Sequence, residues 1–255
     1  MKVIDLSVPL ENNSKWAPWW GKNKIKYQGH KVGRIAIWLL YRLTSRHLRQ
    51  GLGWANEYIS LSTHGTTHLD APWHFAPTSE GKPAKSIDEI PLEWCYGDGI
   101  VLNMTHKKMG ESITVDDIKK VLERMKYRIK PLDIVLIHTG CNKLLRTKEY
   151  FYQGIGMSEK ATKWILDQGV KVTGIDAWGW DAPLPEQAKS AKQTKTKNLF
   201  WEAHFVGIDK EYCHLERLTN LEKLPATGFK IACFPLKVKR GSAGPTRAVA
   251  ILENP

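Results

Sequence analysis

The alternation of apolar and polar positions is clearest in the middle of the chain. Gly99 to Met104 is a short apolar run of strand type, and Thr114 then offers an N-cap with Asp117 three residues on, a variant of the capping box. Ile118, Val121, Leu122 and Met125 follow at helical spacing, which predicts an amphipathic helix. Pro131 ends the next segment, Asp133 to Thr139 reads as a buried strand, and Ser158 to Gln168 reads as a second helix stopped by Gly169. Val170 to Asp176 is the next strand, and Phe229 to Val238 and Thr246 to Leu252 are two more. Strand, helix, strand, helix, strand at these spacings implies an α/β domain with some parallel pairing.

The first ten residues read as a strand and lack the charged region, apolar run and cleavage site of a signal peptide, so a cytoplasmic location is expected. The most apolar stretch, Ile35 to Leu43, is too short to span a bilayer and contains Arg42. It reads as a core or interface helix within a helical insertion or interface segment at residues 22–53, in a chain otherwise expected to be one domain of 255 residues. Trp16, Trp19 and Trp20 lie just before it, and packing is favoured over substrate contact for each. Residues 182–197, with Pro183 and Pro185 and with Lys189, Lys192, Lys195 and Lys197, show no apolar periodicity. A mobile loop is expected there, placed where a lid would sit.

A hydrophobic fraction of 42% and a charged fraction of 25% are those of a globular protein. The formal charge of +12 would suit an anionic partner, but the lysines are scattered and no aromatics are interleaved with the dense patch. Nucleic acid and membrane are therefore not expected as partners. Cys95, Cys141, Cys213 and Cys233 form no CxxC pair and read as buried free thiols.

Candidate chemistry is concentrated in residues 62–75, where His64, His68, Asp70 and His74 fall within eleven residues. Three imidazoles and a carboxylate are a metal-ligand set. Extended backbone would separate His64 from His68 by ~13 Å, whereas nitrogens sharing a metal each lie ~2 Å from it, so the chain must turn between them. Gly65 offers freedom for that turn, Thr66 and Thr67 can satisfy loose backbone groups, and Pro72 stops a strand from continuing. The competing account, three histidines and an aspartate bonded only to local partners, gives no reason for their concentration.

Far downstream, His204 is followed twelve residues later by Glu216, with Glu202, Glu211 and Glu222 as rival carboxylates. No GxSxG elbow, phosphate loop or GxGxxG fingerprint points to serine or nucleotide chemistry.

The segment resembles the signature HxGTHxDxPxH of the cyclase-like metal-dependent hydrolases, the family of bacterial kynurenine formamidase and isatin hydrolase. His64, Thr67, His68, Asp70, Pro72 and His74 match it, while the glycine is displaced to Gly65 and Thr66 takes its usual place. Ile4-Asp-Leu-Ser, Val135-Leu-Ile-His-Thr-Gly, Gly174-Ile-Asp, His204 and Glu216 extend the resemblance over most of the chain, apart from residues 22–53.

The resemblance implies that His64, His68 and Asp70 bind a first divalent metal, zinc or manganese. Asp70 and Glu216 would bridge to a second, with His204 as a further ligand and His74 as the proton-transfer residue. It also implies a swivelling β/β/α-type mixed sheet with flanking helices, a homodimer or higher oligomer, and hydrolysis of an amide, formamide, cyclic amide or lactone of a small molecule, while the cationic charge and nearby tryptophans would suit an aromatic or anionic substrate. The alternative is a non-catalytic metal-binding or regulatory small-molecule-binding protein, which would have no use for His74 beyond its ligands.

Overall fold

A computed structural model describes residues 1–13, 15–194 and 199–253. It falls into two compact units, one of Met1–Pro9 with Thr63–Pro255 and one of Leu10–Ser62. The larger unit is built on a nine-stranded mixed sheet. In chain order its strands are β1 (Lys2–Asp5), β2 (His68–Asp70), β3 (Tyr96–Asn103), β4 (Ile134–His138), β5 (Val172–Ile175), β6 (Cys213–Glu216), β7 (Phe229–Ala232), β8 (Ala243–Pro245) and β9 (Val249–Leu252). They lie side by side in the order β1-β9-β7-β3-β4-β5-β6-β2-β8.

The four central strands β3, β4, β5 and β6 pair in parallel, and every other pairing is antiparallel. Parallel strands need helices on their faces, so β4 (IVLIH) and β5 (VTGI) are buried at every position. The core joins Leu69, Leu136, Val101, Leu215, Ile231 and Ala250. This is the α/β fold with flanking helices that the alternating periods predicted.

The helix Val115–Met125 starts as expected: the Thr114 hydroxyl accepts from the Asp117 N–H, and the Asp117 side chain reaches back to Thr114. The helix Glu159–Leu166 is capped by the Ser158 hydroxyl, and Gly169 follows at φ +87°, the left-handed conformation that a side chain resists. Two strands are shorter than their apolar runs. β7 stops at Ala232, ahead of Pro235, which has no N–H for a ladder, and Thr246 only bridges to Pro235 before β9 begins at Val249.

The expectation of a mobile loop at residues 182–197 is corrected: Leu184–Thr194 is an α-helix. Pro185 sits in the first turn, where its missing N–H costs nothing, and Gln187 is the one buried residue of the helix. With so narrow a contact the helix needs no apolar stripe, which is why periodicity missed it. Lys189 and Lys192 lie on it, whereas Lys195 and Lys197 fall outside the described residues.

The smaller unit contains the segment 22–53. Its strands Lys24–Gln28 and Asn56–Ser60 pair antiparallel, and its helix His30–Tyr41 ends at Arg42, in the left-handed conformation. Val32, Ile35, Trp38, Leu39 and Leu40 on or near this helix are exposed, so it is not a core helix. Trp19 and Trp20 are exposed as well. The four cysteines are buried and free. Among the described residues no helix is long and apolar enough to cross a membrane.

Candidate metal centre

Two triplets of the same pattern, His68-Leu69-Asp70 on β2 and His214-Leu215-Glu216 on β6, face each other in antiparallel register. His214 pairs with Asp70, Leu215 with Leu69 and Glu216 with His68. Side chains alternate between the faces of a strand, so the two histidines and two carboxylates lie together on one face. The two leucines point the other way into the core, both fully buried.

The approach to β2 is fixed by the paired threonines. The Thr67 hydroxyl donates to the Arg217 carbonyl at 2.7 Å and accepts from the Val8 N–H at 2.9 Å, while the Thr66 hydroxyl donates to the Val8 carbonyl at 3.3 Å. Gly65 is not among the glycines with positive φ, so the turn rests on these hydroxyls and not on glycine's special freedom. The strand ends at Asp70, and Pro72 opens the helical turn Pro72–Phe75 that swings His74 back over the site.

The carboxylates divide their oxygens between two groups of imidazoles. Asp70 Oδ1 lies 2.8 Å from His64 Nδ1 and 3.2 Å from His68 Nε2, and Glu216 Oε2 lies 3.6 Å from His68 Nε2. On the other side, Asp70 Oδ2 lies 2.9 Å from His214 Nε2, while Glu216 Oε1 lies 3.3 Å from His214 Nε2 and 3.5 Å from His204 Nε2. His74 Nε2 stands 3.9 Å from Asp70 Oδ2, with its ring 4.1 Å from that of His64. All six residues expected from the sequence, His64, His68, Asp70, His74, His204 and Glu216, therefore converge.

Remote nitrogens are anchored, which aims the near ones. His68 Nδ1 donates to the Thr66 carbonyl at 2.7 Å, so in the neutral ring Nε2 carries a lone pair. That Nε2 is buried without a hydrogen-bond partner and faces Asp70 Oδ1, a second acceptor, which also lies against His64 Nδ1. His204 Nδ1 bonds Asp181, whose carboxylate also accepts the backbone N–H groups of Ala203 at 2.9 Å and His204 at 3.0 Å, at the start of the helix Glu202–Phe205. Two carboxylates ringed by imidazole nitrogens are a donor set that fits a divalent cation.

Burial opposes charge throughout, and pairing overrides it where carboxylates are concerned. Asp70 loses solvation, yet His74, His64 and His68 hold its carboxyl well below the usual range. Glu216 is pushed up by burial and by Asp70, but hydrogen bonds with His204 and His214 bring it well below its ordinary value. Burial disfavours a charge on His204, yet Asp181 and Glu216 push its pKa up to about 10. For His74 burial wins, with His64 and His204 adding to it, and its pKa falls to about 3.

The sequence reading missed three residues at the centre. His214 has the alternation of a strand as its signal, since it sits two residues before Glu216. Asp181 and Arg217 have none. Arg217 is buried at φ +59°, and its guanidinium lies over the Trp178 ring at 3.7 Å, placing a cation beside Glu216.

The chain is similar to isatin hydrolase from Roseibium aggregatum, with 24% identity over 99% of this chain and 92% of that protein. It is also similar to kynurenine formamidase from Erythrobacter litoralis, with 26% identity over 75% of this chain and 74% of that one. Among solved structures, an isatin hydrolase bound to the product analogue thioisatinate superposes with a TM-score of 0.77 at 21% identity, covering 99% of this chain and 93% of the other. A potential metal-dependent hydrolase with cyclase activity superposes with a TM-score of 0.64 at 21% identity, covering 100% and 99%. Both share the fold. A family model described as a putative cyclase matches residues 4–182, well over half of the 255 residues, and the chain accordingly belongs to the cyclase family.

Proposed function

We propose that this protein is a metal-dependent hydrolase that opens an amide, formamide, cyclic amide or lactone of a small substrate. One observation carries the reading: the buried His68 Nε2, without a hydrogen-bond partner, faces Asp70 Oδ1 at 3.2 Å, an arrangement that a divalent cation would reconcile. His64, His68 and Asp70 would hold it, with Glu216 and His204 completing the set, and zinc and manganese both suit such nitrogen and oxygen donors. A divalent ion bound there supplies Lewis acidity, which lowers the pKa of water and polarises a carbonyl.

His74 would be the residue that moves a proton. It is half-buried beside Asp70 and His64, where a proton-transfer role would favour a catalyst over a purely structural site. The Trp201 ring stacks on His204 at 4.4 Å and meets His74 edge-on at 5.0 Å, forming an aromatic wall next to the proton carrier. That wall suits an aryl substrate, in keeping with the relatives named isatin hydrolase and kynurenine formamidase. The charge of +12 favours an anionic one.

Two further features belong to the same reading. The exposed apolar residues of His30–Tyr41 suit burial against a second copy of the chain, as a homodimer or higher oligomer. Four buried free cysteines suit a reducing compartment such as the cytoplasm.

The test is elemental analysis of protein purified without chelators, followed by turnover of N-formyl aryl amines, isatin-like cyclic amides and aryl lactones. Stoichiometric zinc or manganese with turnover of one class supports the proposal. Absence of any bound divalent ion after reconstitution removes it.

A further inference from the structure

We propose that His214 is itself a metal ligand and closes a second, inner cation position together with Asp70 Oδ2, Glu216 Oε1 and His204 Nε2. The inference rests on the metal-hydrolase reading above and adds a ligand to it. These four atoms lie within 4.8 Å of one another, and all four residues are buried.

The hydrogen bonding around His214 gives its tautomer. The Tyr212 hydroxyl lies 3.1 Å from the Ala203 carbonyl, and a carbonyl can only accept, so the one phenolic proton is used there. The Tyr212 oxygen is then an acceptor for His214 Nδ1–H at 3.3 Å. In that tautomer Nε2 presents a lone pair to Asp70 Oδ2 at 2.9 Å and to Glu216 Oε1 at 3.3 Å. Nε2 thus meets two carboxylate oxygens at a buried position. The opposite tautomer bonds Asp70 but turns an unprotonated Nδ1 toward the Tyr212 oxygen, whose proton is committed elsewhere. One ligand-type atom from each of Asp70, His204, His214 and Glu216 thus converges within 4.8 Å, where a divalent cation would take His214 Nε2 as a lone-pair donor.

The position is walled as well as ligated. The Trp180 ring stacks on His214 at 5.5 Å and 19°, and the Phe75 ring covers it at 4.9 Å. A Cβ at Gly207 would lie 2.2 Å from Phe75, so the backbone itself presses that ring into place. Two nitrogens and two oxygens from four buried residues make a site closed to substrate, in contrast to the His64 and His74 side, where both rings are partly exposed. The inner ion therefore holds Asp70 and Glu216 in the orientation that presents Asp70 Oδ1 and Glu216 Oε2 to the outer position.

The experiment is a Co2+ titration of the metal-stripped full chain, followed by visible absorption and by elemental analysis. His214→Phe keeps the stacked ring, His214→Gln keeps a polar side chain, and near-ultraviolet circular dichroism checks that each is folded. Wild type is expected to take up two ions per chain, both His214 variants one, and His64→Ala one of a different absorption spectrum. Folded His214 variants that still bind two ions with wild-type affinity overturn the proposal and leave the hydrolase reading standing. So does a wild type that binds one ion whose affinity neither His214 variant changes. A wild type that binds no Co2+, Zn2+ or Mn2+ overturns both.

Discussion

The Asp181 carboxylate holds His204 from two directions, accepting the ring Nδ1 and the backbone N–H of the same residue. The imidazole is thereby locked with Nε2 toward Glu216, the arrangement by which a carboxylate orients a metal-binding histidine. Asp181→Asn keeps the shape but removes the charge. We expect affinity for the divalent ion to fall on the order of 10–100-fold, read by competition with a chromophoric chelator. Unchanged affinity would show that His204 is held by packing alone.

His74→Ala separates chemistry from metal retention. Turnover should fall roughly 10²–10⁴-fold, the range for loss of a positioned acid or base, while elemental analysis still finds the ions. Loss of the ions together with the activity would make His74 a ligand instead.

Leu215 and Leu69 pair on the face of β6 and β2 opposite the carboxylates, and both are fully buried. Leu215→Ala should destabilise the protein by ~2–5 kcal/mol and lower Tm by on the order of 10 °C. Leu92→Ala, at a side chain 67% exposed, should stay within about 0.5 kcal/mol. Equal thermal shifts for the two would contradict the described register.

The capping box at Thr114 predicts an acid-range effect. Partial burial opposes ionisation of Asp117, but hydrogen bonds from Thr114 and Lys107 bring its pKa down to about 2. A carboxyl depressed on folding stabilises above its unfolded pKa, near 4, and that contribution is lost as pH falls toward 2. Thr114→Ala should cost ~1 kcal/mol near neutrality. Asp117→Asn should flatten the stability profile between about pH 4 and 2, as followed by denaturant unfolding at each pH. Parallel profiles for wild type and Asp117→Asn would refute the assignment.

Dimerisation through the smaller unit is open to the same kind of check. Trp38→Glu or Leu39→Glu, at exposed positions of the helix His30–Tyr41, should shift sedimentation from oligomer toward monomer. A wild type that sediments as a monomer at micromolar concentration would remove the second copy from the reading.

Elements whose signals are local were legible in advance. The two capped helices and the apolar strands β4 and β5 follow from caps, periodicity and breakers a few residues apart. The helix Leu184–Thr194 was not, because its one buried residue, Gln187, leaves no apolar stripe. His64, His68, Asp70 and His74 stood out because one short segment carries them all, with Pro72 and the threonines shaping its path.

His214 and Asp181 are of another kind. The contact of His214 with Asp70 spans 144 positions of chain, and that of Asp181 with His204 spans 23. The second separation leaves no mark on composition or spacing, and the first shows only in the place of His214 two residues before Glu216. The sequence by itself determined the upstream His/Asp cluster, the helix caps and the α/β alternation, since those depend on neighbours along the chain. Which downstream residues join them was decided by the antiparallel register of β6 on β2, which sets His214 opposite Asp70 and Glu216 opposite His68. A shift of that register by one residue would turn His214 and Glu216 to the core face, so the packing of Leu69 and Leu215 decides the site as much as its ligands do.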